Sequence, residues 1–254
     1  MNPLKWLTRR GSVATTHRAV ATPDGFPRLE QSERFDIDLV NGRLGFTNPA
    51  SNLSDRDYWK GFAWDRRPFV NARSGAEFSE NPDTGRYSCP VYETGWGLPV
   101  GAAPAQRQAV LKLSLFLDRP SRTERDTYPD LTEEARLKAW LDECYVSRKQ
   151  SFDRFDMEML PDGTLAIGER PTEQRLSRQE AVPLHKLEQP VCGRPVFRVF
   201  MNPGIIEFNL ARNPMEVVQL RFQLLPQGPD RLEEALQETT LRFASDIVSS
   251  VTLE

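Results

Sequence analysis

Residues 109–120, AVLKLSLFLDRP, are the stretch from which we predict the fold of this chain. We interpret this stretch as a β-strand that ends near Pro120. After a polar loop, residues 128–147, YPDLTEEARLKAWLDECYVS, predict a helix that begins near Pro129. Proline fits the first helical turn, and acidic side chains are favoured at that end of the helix dipole. Apolar residues at three- and four-residue spacing predict a buried helix face that contains Leu137, Trp140, Leu141 and Cys144.

The same order of strand, loop and helix returns in the second half of the chain. Residues 216–227, EVVQLRFQLLPQ, predict a strand, and residues 228–248, GPDRLEEALQETTLRFASDIV, predict a helix. This second helix also has Pro–Asp and Glu–Glu–Ala near its start. Its predicted apolar face contains Leu232, Leu236 and Phe243.

Hairpins precede both of these units. Residues 35–47, FDIDLVNGRLGFT, alternate apolar and acidic side chains and then turn at Asn41–Gly42, a dipeptide typical of a two-residue hairpin loop. Residues 155–169, FDMEMLPDGTLAIGE, follow the same alternation and turn at Pro161–Gly163. A third antiparallel pair is predicted from PVFRVFM and IIEFNLAR, residues 195–201 and 205–212, on either side of Asn-Pro-Gly.

These elements predict an α+β fold with two small subdomains, each an antiparallel β-sheet of hairpins with an amphipathic helix. We expect a flexible basic N-terminal arm at residues 1–24, a first subdomain at 25–148 and a second at 149–254. A divergent tandem duplication would produce the repeated order, and so would chance in a common α+β arrangement. The hairpins repeat at an offset that differs from that of the helices, so a duplication would require unequal insertions.

Composition favours a protein of the cytoplasm. The chain of 254 residues is 39% apolar and 27% charged, which is typical of a globular protein, and no apolar run approaches the roughly 20 residues that cross a bilayer. Arg9–Arg10 is followed by polar sequence without the apolar core of a signal peptide. Three widely separated cysteines, Cys89, Cys144 and Cys192, indicate free thiols. The net charge of −3, without a basic stripe, argues against nucleic-acid binding.

Sequence motifs indicate no catalytic, cofactor-binding or metal-binding residues. The chain has two histidines, His17 and His185, and neither has a Cys, Glu or second His at ligand spacing. We expect His185 in a loop or at a strand edge. Residues 95–101, GWGLPVG, lie in a predicted loop, but Pro99 and the missing lysine distinguish them from a phosphate-binding loop. We therefore predict a protein that is not an enzyme.

The most unusual stretch is DRDYWKGFAWDRRPFV, residues 55–70, which combines aromatic and charged side chains. The rings either fill the core of the first subdomain, while the charged groups extend outward, or form part of a partner-binding surface. Trp, Tyr and Arg are enriched at binding hot spots. If the stretch is an interface, the predicted partner-binding residues are Arg56, Tyr58, Trp59, Trp64, Arg66 and Arg67.

In length, acidity, α+β pattern and missing catalytic motifs, the chain resembles the cytoplasmic immunity proteins of bacterial toxin–immunity pairs, such as those that accompany type VI secretion effectors. The resemblance covers the whole chain as a profile, and no motif carries it. It implies a protein that is monomeric when free and that neutralises a cognate protein toxin or secreted effector by direct binding, without nucleic acid, membrane or cofactor.

Two other classes of function stay open at this point. An adaptor or chaperone that loads a secreted effector would share this composition and would have a broad apolar groove. An enzyme of unrecognised class, using Asp, Glu, Arg and Tyr, would have a deep pocket lined by convergent polar groups. The three classes therefore differ in the kind of surface that each requires.

Overall fold

The structure is a computed structural model of the chain. It describes residues 32–39, 42–49, 51, 69–70, 78–80, 86–99, 107–153, 155–159, 165–169, 182–202, 204–226 and 234–254. The described part is an α+β fold, as predicted, with more residues in strands than in helices. None of its helices combines the length and the apolar character needed to cross a membrane.

Strands outnumber helices among the described elements. The strands are β1 (Ser32–Leu39), β2 (Gly42–Pro49), β3 (Phe69–Val70), β4 (Ser79–Glu80), β5 (Tyr87–Pro99), β6 (Arg107–Arg119), β7 (Phe155–Met159), β8 (Leu165–Glu169), β9 (Leu184–Lys186), β10 (Val196–Asn202), β11 (Ile205–Asn213), β12 (Glu216–Pro226) and β13 (Thr252–Leu253). The helices are α1 (Glu124–Thr127) and α2 (Glu134–Asp153), which lie between β6 and β7, and α3 (Glu234–Ser249), which precedes β13.

An eight-stranded antiparallel sheet, the central sheet, organises the fold. Its order is β3-β5-β6-β12-β11-β10-β9, and β4 also pairs with β5. Both strands predicted from the repeated units are present, as β6 and β12, and the pair predicted at 195–201 and 205–212 is present as β10 and β11. The predicted loop at 95–101 is wrong over its first part, because Gly95–Pro99 belongs to β5. Trp96 and Leu98 alternate with glycines there and are buried, so a strand forms despite the glycines.

Two smaller sheets confirm the predicted hairpins. β1 pairs with β2 from Ser32↔Pro49 to Leu39↔Gly42, and β7 pairs with β8 from Phe155↔Glu169 to Met159↔Leu165. Gly42, predicted as a turn residue, pairs with Leu39 as part of β2, and Asn41 lies outside the described residues. β13 adds to β2 through Thr252↔Gly45 and makes this second sheet three-stranded.

The central sheet and the three-stranded second sheet each contain strands from both predicted subdomains. β6, from the first predicted subdomain (25–148), pairs with β12, from the second (149–254), between Val217↔Asp118 and Pro226↔Ala109. The described strands therefore do not divide into one sheet for each half, and they give no support to a tandem duplication. A physical reason is that β6 and β12 would each be an exposed edge in a separate sheet, and pairing them removes both edges.

Apolar residues cover both faces of the central sheet. On one face, Leu113 and Leu115 of β6 and Leu220 and Phe222 of β12 pack in one core with the second sheet and α3. On the other face, the predicted apolar side of α2 is buried, as expected, against β10, β11 and β12; it comprises Leu137, Trp140, Leu141 and Cys144. On the predicted face of α3, Phe243 is buried, while Leu232 and the side chain of Leu236 lie outside the described part.

Helix α2 begins later than predicted, at Glu134 in place of Pro129. The backbone N–H and the hydroxyl of Thr132 both donate hydrogen bonds to Asp130 Oδ1, at 2.9 and 2.6 Å. Asp side chains that bind the backbone two residues on favour turns over helices. The short helix α1 was also not predicted.

Gly42 provides a test of how β13 is held. Its φ is +135°, and a Cβ there would lie 1.9 Å from the backbone oxygen of Glu254, which accepts a hydrogen bond from Arg43 N. We expect Gly42→Ala to lower the free energy of unfolding by about 2–3 kcal/mol in chemical denaturation. Gly193→Ala is the matched control: Gly193 has φ +70° but open space around it, so we expect a loss of only about 1 kcal/mol. Equal losses in the two variants would contradict this account.

Candidate partner-binding surface

The predicted partner-binding residues lie outside the described residues. These are Arg56, Tyr58, Trp59, Trp64, Arg66 and Arg67, within the undescribed range 52–68. Two described rings that follow this range in the sequence are in the core. Trp96 packs edge-on against Phe243 with ring centroids 5.2 Å apart, and Tyr92 is fully buried beside Phe46. These two aromatic residues therefore stabilise the fold, and the interface prediction for 56–67 stays a prediction.

One group of buried polar side chains connects α2 to the central sheet. The carboxylate of Glu207 on β11 accepts a hydrogen bond from the Tyr145 hydroxyl on α2 at 2.6 Å and another from Arg221 Nε at 2.6 Å. Gln219 donates to the same carboxylate at 3.3 Å, and Asn209 donates to the Tyr145 oxygen at 2.8 Å. Glu207 is only 1% exposed, so its charge is balanced by protein groups. The cluster acts as an internal connection between helix and sheet.

A second buried carboxylate lies where β6 ends and β12 begins. Glu216 pairs with Arg119 and with Arg212, and Asn213 Nδ2 donates to it at 2.8 Å. Burial acts to raise the pKa of Glu216, but the hydrogen bond and charge of Arg119 and the charge of Arg212 outweigh it and lower the pKa below its ordinary value of 4.5. This carboxylate also connects strands within the fold.

A third group lies on β9, an edge strand of the central sheet, and on its neighbour β10, and it differs from the other two in reaching the surface. His185 on β9 pairs in register with Arg198 on β10. The Arg198 guanidinium lies 5.0 Å from the centroid of the Phe200 ring, and the His185 ring lies edge-on to the same ring at 5.9 Å. His185 is exposed, Arg198 is partly buried and Phe200 is 41% exposed. We name these three residues the edge patch.

Strand alternation positions the edge patch. Val196, Arg198 and Phe200 lie on the same face of β10, because successive side chains point to opposite faces. Val196 is buried in the core, whereas Phe200 is exposed, so this row of side chains runs from the core to the surface. His185 lies on β9, which confirms its predicted place at a strand edge.

Arg198 and Phe200 were not among the functional residues predicted from the sequence, although their strand was predicted. The signal was present in PVFRVFM, where Phe197 and Val199 alternate with Arg198 and Phe200. It does not say which of the two faces is buried, since both contain a phenylalanine. Phe197 is 2% exposed and packs under α2, so Arg198 and Phe200 lie on the opposite face, which is buried at Val196 and exposed at Phe200.

The described side chains offer limited means of binding a metal or a substrate. No three His, Cys, Asp or Glu side chains within the described ranges are grouped so that they could hold a metal ion. The oxygens of Glu207 and Glu216 are occupied by protein donors, and both side chains are buried. The edge patch can bind by the ordinary means of a protein surface, which are an apolar ring and a cation.

Removal of the Glu207 carboxylate should weaken the attachment of α2. We expect Glu207→Ala to lower the free energy of unfolding by about 3–5 kcal/mol, because Arg221 and Tyr145 lose their acceptor in a buried place. Glu93→Ala is the control, since Glu93 pairs with Lys112 at 2.7 Å but is 29% exposed. Urea denaturation would compare the variants, and an equal loss in both would contradict the account.

Glu216 should make the fold sensitive to acid. A carboxyl whose pKa is lower in the folded than in the unfolded state contributes stability above its unfolded pKa, and this contribution is lost as the pH falls through the folded pKa. We therefore expect Glu216→Gln to be less stable than wild type at pH 7, with a difference that shrinks below about pH 4.5. Glu188→Gln, at an exposed site, is the control. Thermal unfolding between pH 7 and pH 3 measures the effect, and a constant difference would contradict it.

Comparisons with known proteins found no protein-family model, no curated protein and no solved structure that matches the chain. The resemblance to immunity proteins therefore rests on the sequence profile alone. The function must be argued from the chemistry of the described side chains, and above all from the edge patch.

Proposed function

We propose that this protein binds and neutralises a protein partner, in the manner of an immunity protein that acts on a cognate toxin or secreted effector. It does so by direct contact, without a catalytic step, a cofactor or a metal ion. The partner is a protein and not a nucleic acid or a membrane. We place the free protein in the cytoplasm as a monomer.

The observation that carries the proposal is the exposure of Phe200 beside Arg198. Among the described residues, Phe200 is the one large apolar side chain that is exposed. Aromatic and arginine side chains that lie together are characteristic of binding hot spots, where a few residues supply most of the binding free energy. In the edge patch, strand pairing holds both residues in place before any partner arrives, which reduces the entropy lost on binding.

The character of this surface favours a neutralising protein over an adaptor. An adaptor for an unfolded or hydrophobic effector needs a broad apolar groove. The edge patch has one exposed ring flanked by a cation and an imidazole. Such a compact, partly charged patch suits a folded partner with a complementary surface.

The two buried carboxylate clusters favour a binding protein over an enzyme. An active site needs polar groups that converge on a place open to the substrate. Glu207 and Glu216, the carboxylates with the most protein partners, are directed into the fold and bonded there. Arg56, Tyr58, Trp59, Trp64, Arg66 and Arg67 stay in the proposal as a predicted second part of the interface.

The proposal predicts a stoichiometric partner that is harmful by itself. A tagged chain purified from its native cell should retain one protein at equal stoichiometry, identified by mass spectrometry. Expression of that protein alone should stop growth, and coexpression with this chain should restore it. A partner whose expression is harmless would contradict neutralisation and favour an adaptor. A purified chain with no stoichiometric partner would overturn the proposal and direct attention to small molecules.

A further inference from the structure

We infer that the edge patch recognises an acidic segment of the protein partner, in which a carboxylate pairs with Arg198 and a neighbouring apolar side chain packs on Phe200. This inference rests on the proposed function, because it names the chemistry of the partner at a surface that the proposal assigns to binding. It is also open to a test that needs no knowledge of the partner.

Arg198 differs from four other buried or partly buried arginines of the described chain, each of which pairs with an acid. Arg86 pairs with Glu124, Arg119 and Arg212 pair with Glu216, and Arg221 pairs with Glu207. Within the described residues Arg198 forms no ion pair, and its Nε is buried without a hydrogen-bond acceptor. Burial lowers the pKa of Arg198, and no carboxylate opposes that effect. The guanidinium thus carries a desolvation cost that a carboxylate of a partner would offset.

The geometry of the edge patch suits a carboxylate that arrives with an apolar neighbour. Arg198 lies over the Phe200 ring at 5.0 Å, a cation–π arrangement that restricts the guanidinium. Because Phe200 is itself 41% exposed, a partner that reaches Arg198 also meets an apolar surface. Charge-assisted hydrogen bonds to arginine are among the stronger contacts at interfaces. A segment with alternating acidic and apolar residues would satisfy both groups together.

A protein acid fits this surface better than a nucleic-acid phosphate. Nucleic-acid binding draws its affinity from several cations that neutralise successive phosphates. The edge patch has one arginine, and the nearby Lys186 is already paired with Glu134 at 2.7 Å. The whole chain has a net charge of −3, which opposes a polyanion as long as a nucleic acid more than it opposes a short acidic segment.

The first test uses defined probes and the wild-type chain. The ¹H–¹⁵N signal of Arg198 Nε, assigned by its loss in Arg198→Gln, is followed by NMR during titration with the blocked hexapeptide Gly-Asp-Leu-Asp-Leu-Gly. The matched peptide Gly-Asn-Leu-Asn-Leu-Gly and a single-stranded oligothymidylate are titrated in parallel. We expect a saturable shift with the acidic peptide only. No shift with that peptide, an equal shift with the amide peptide, or a larger response to oligothymidylate would overturn the inference.

The second test uses the partner identified under the proposed function. Arg198→Gln should weaken its binding at least about tenfold, the loss that removal of one strong interface contact causes. Arg194→Gln is the matched control, because it removes the same charge from another partly buried position, at the start of the same segment and outside the edge patch, and it should change the affinity less than about twofold. Phe200→Ala should also weaken binding without loss of the fold.

The two proposals fail in different ways. A toxic partner that binds Arg198→Gln as tightly as wild type would overturn the acidic contact and leave neutralisation intact. A chain that binds the acidic peptide through Arg198 but has no toxic partner would support the contact and overturn neutralisation. Equal weakening by Arg198→Gln and Arg194→Gln would indicate general electrostatic attraction and would overturn the specific pairing.

Discussion

The pairing of β6 with β12 is the interaction on which the rest of the structure depends. It places residues from the two halves of the chain side by side, from Val217↔Asp118 to Pro226↔Ala109. On one face, Leu115 and Leu220 lie opposite each other within the larger core, and burial of each such side chain contributes about 1.5–3 kcal/mol. On the other face, Gln219 and Arg221 come within reach of Glu207 on β11. Without this pairing neither the core nor the connection to α2 would be complete.

The same arrangement of strands determines how the buried charged side chains are paired. A carboxylate brought into the interior loses its hydration, and it is tolerated only where arginine and other donors replace the water. Glu207 and Glu216 meet this condition with donors from several different elements. Such pairs add little net stability compared with apolar residues, but the loss of one partner is costly, and so they hold α2 and the strand ends in one arrangement. Arg198 differs from these groups, because no carboxylate of the described chain pairs with it. Its guanidinium can therefore bind a carboxylate of another protein.

The sequence predicted what depends on local spacing. The β1–β2 hairpin, the β10–β11 pair and the buried face of α2 all follow from alternation, turn residues or helical periodicity. It did not predict which strand would pair with β6, because β12 lies about 100 residues away and many strands could meet that apolar pattern. The edge patch was not predicted either, because it also depends on contacts between segments that are distant in sequence. Arg198 and Phe200 are close in sequence, but their exposure depends on Phe197 packing under α2, and His185 joins them only through the register of β9.

The position of the edge patch also limits how a partner can be recognised. β9 is three residues long, and short edge strands give little backbone for another chain to extend the sheet. Recognition at this edge therefore depends on side chains, whose charge and shape differ between partners, and less on backbone hydrogen bonds, which any extended segment could supply. A single arginine that lacks an internal acid discriminates strongly under these conditions. The Arg198 guanidinium attracts a partner whose carboxylate is correctly placed. With a partner that has no carboxylate there, the guanidinium would be covered without an acceptor, and binding would be weaker. Selectivity for one partner then arises from the same unpaired charge that limits the stability of the free protein.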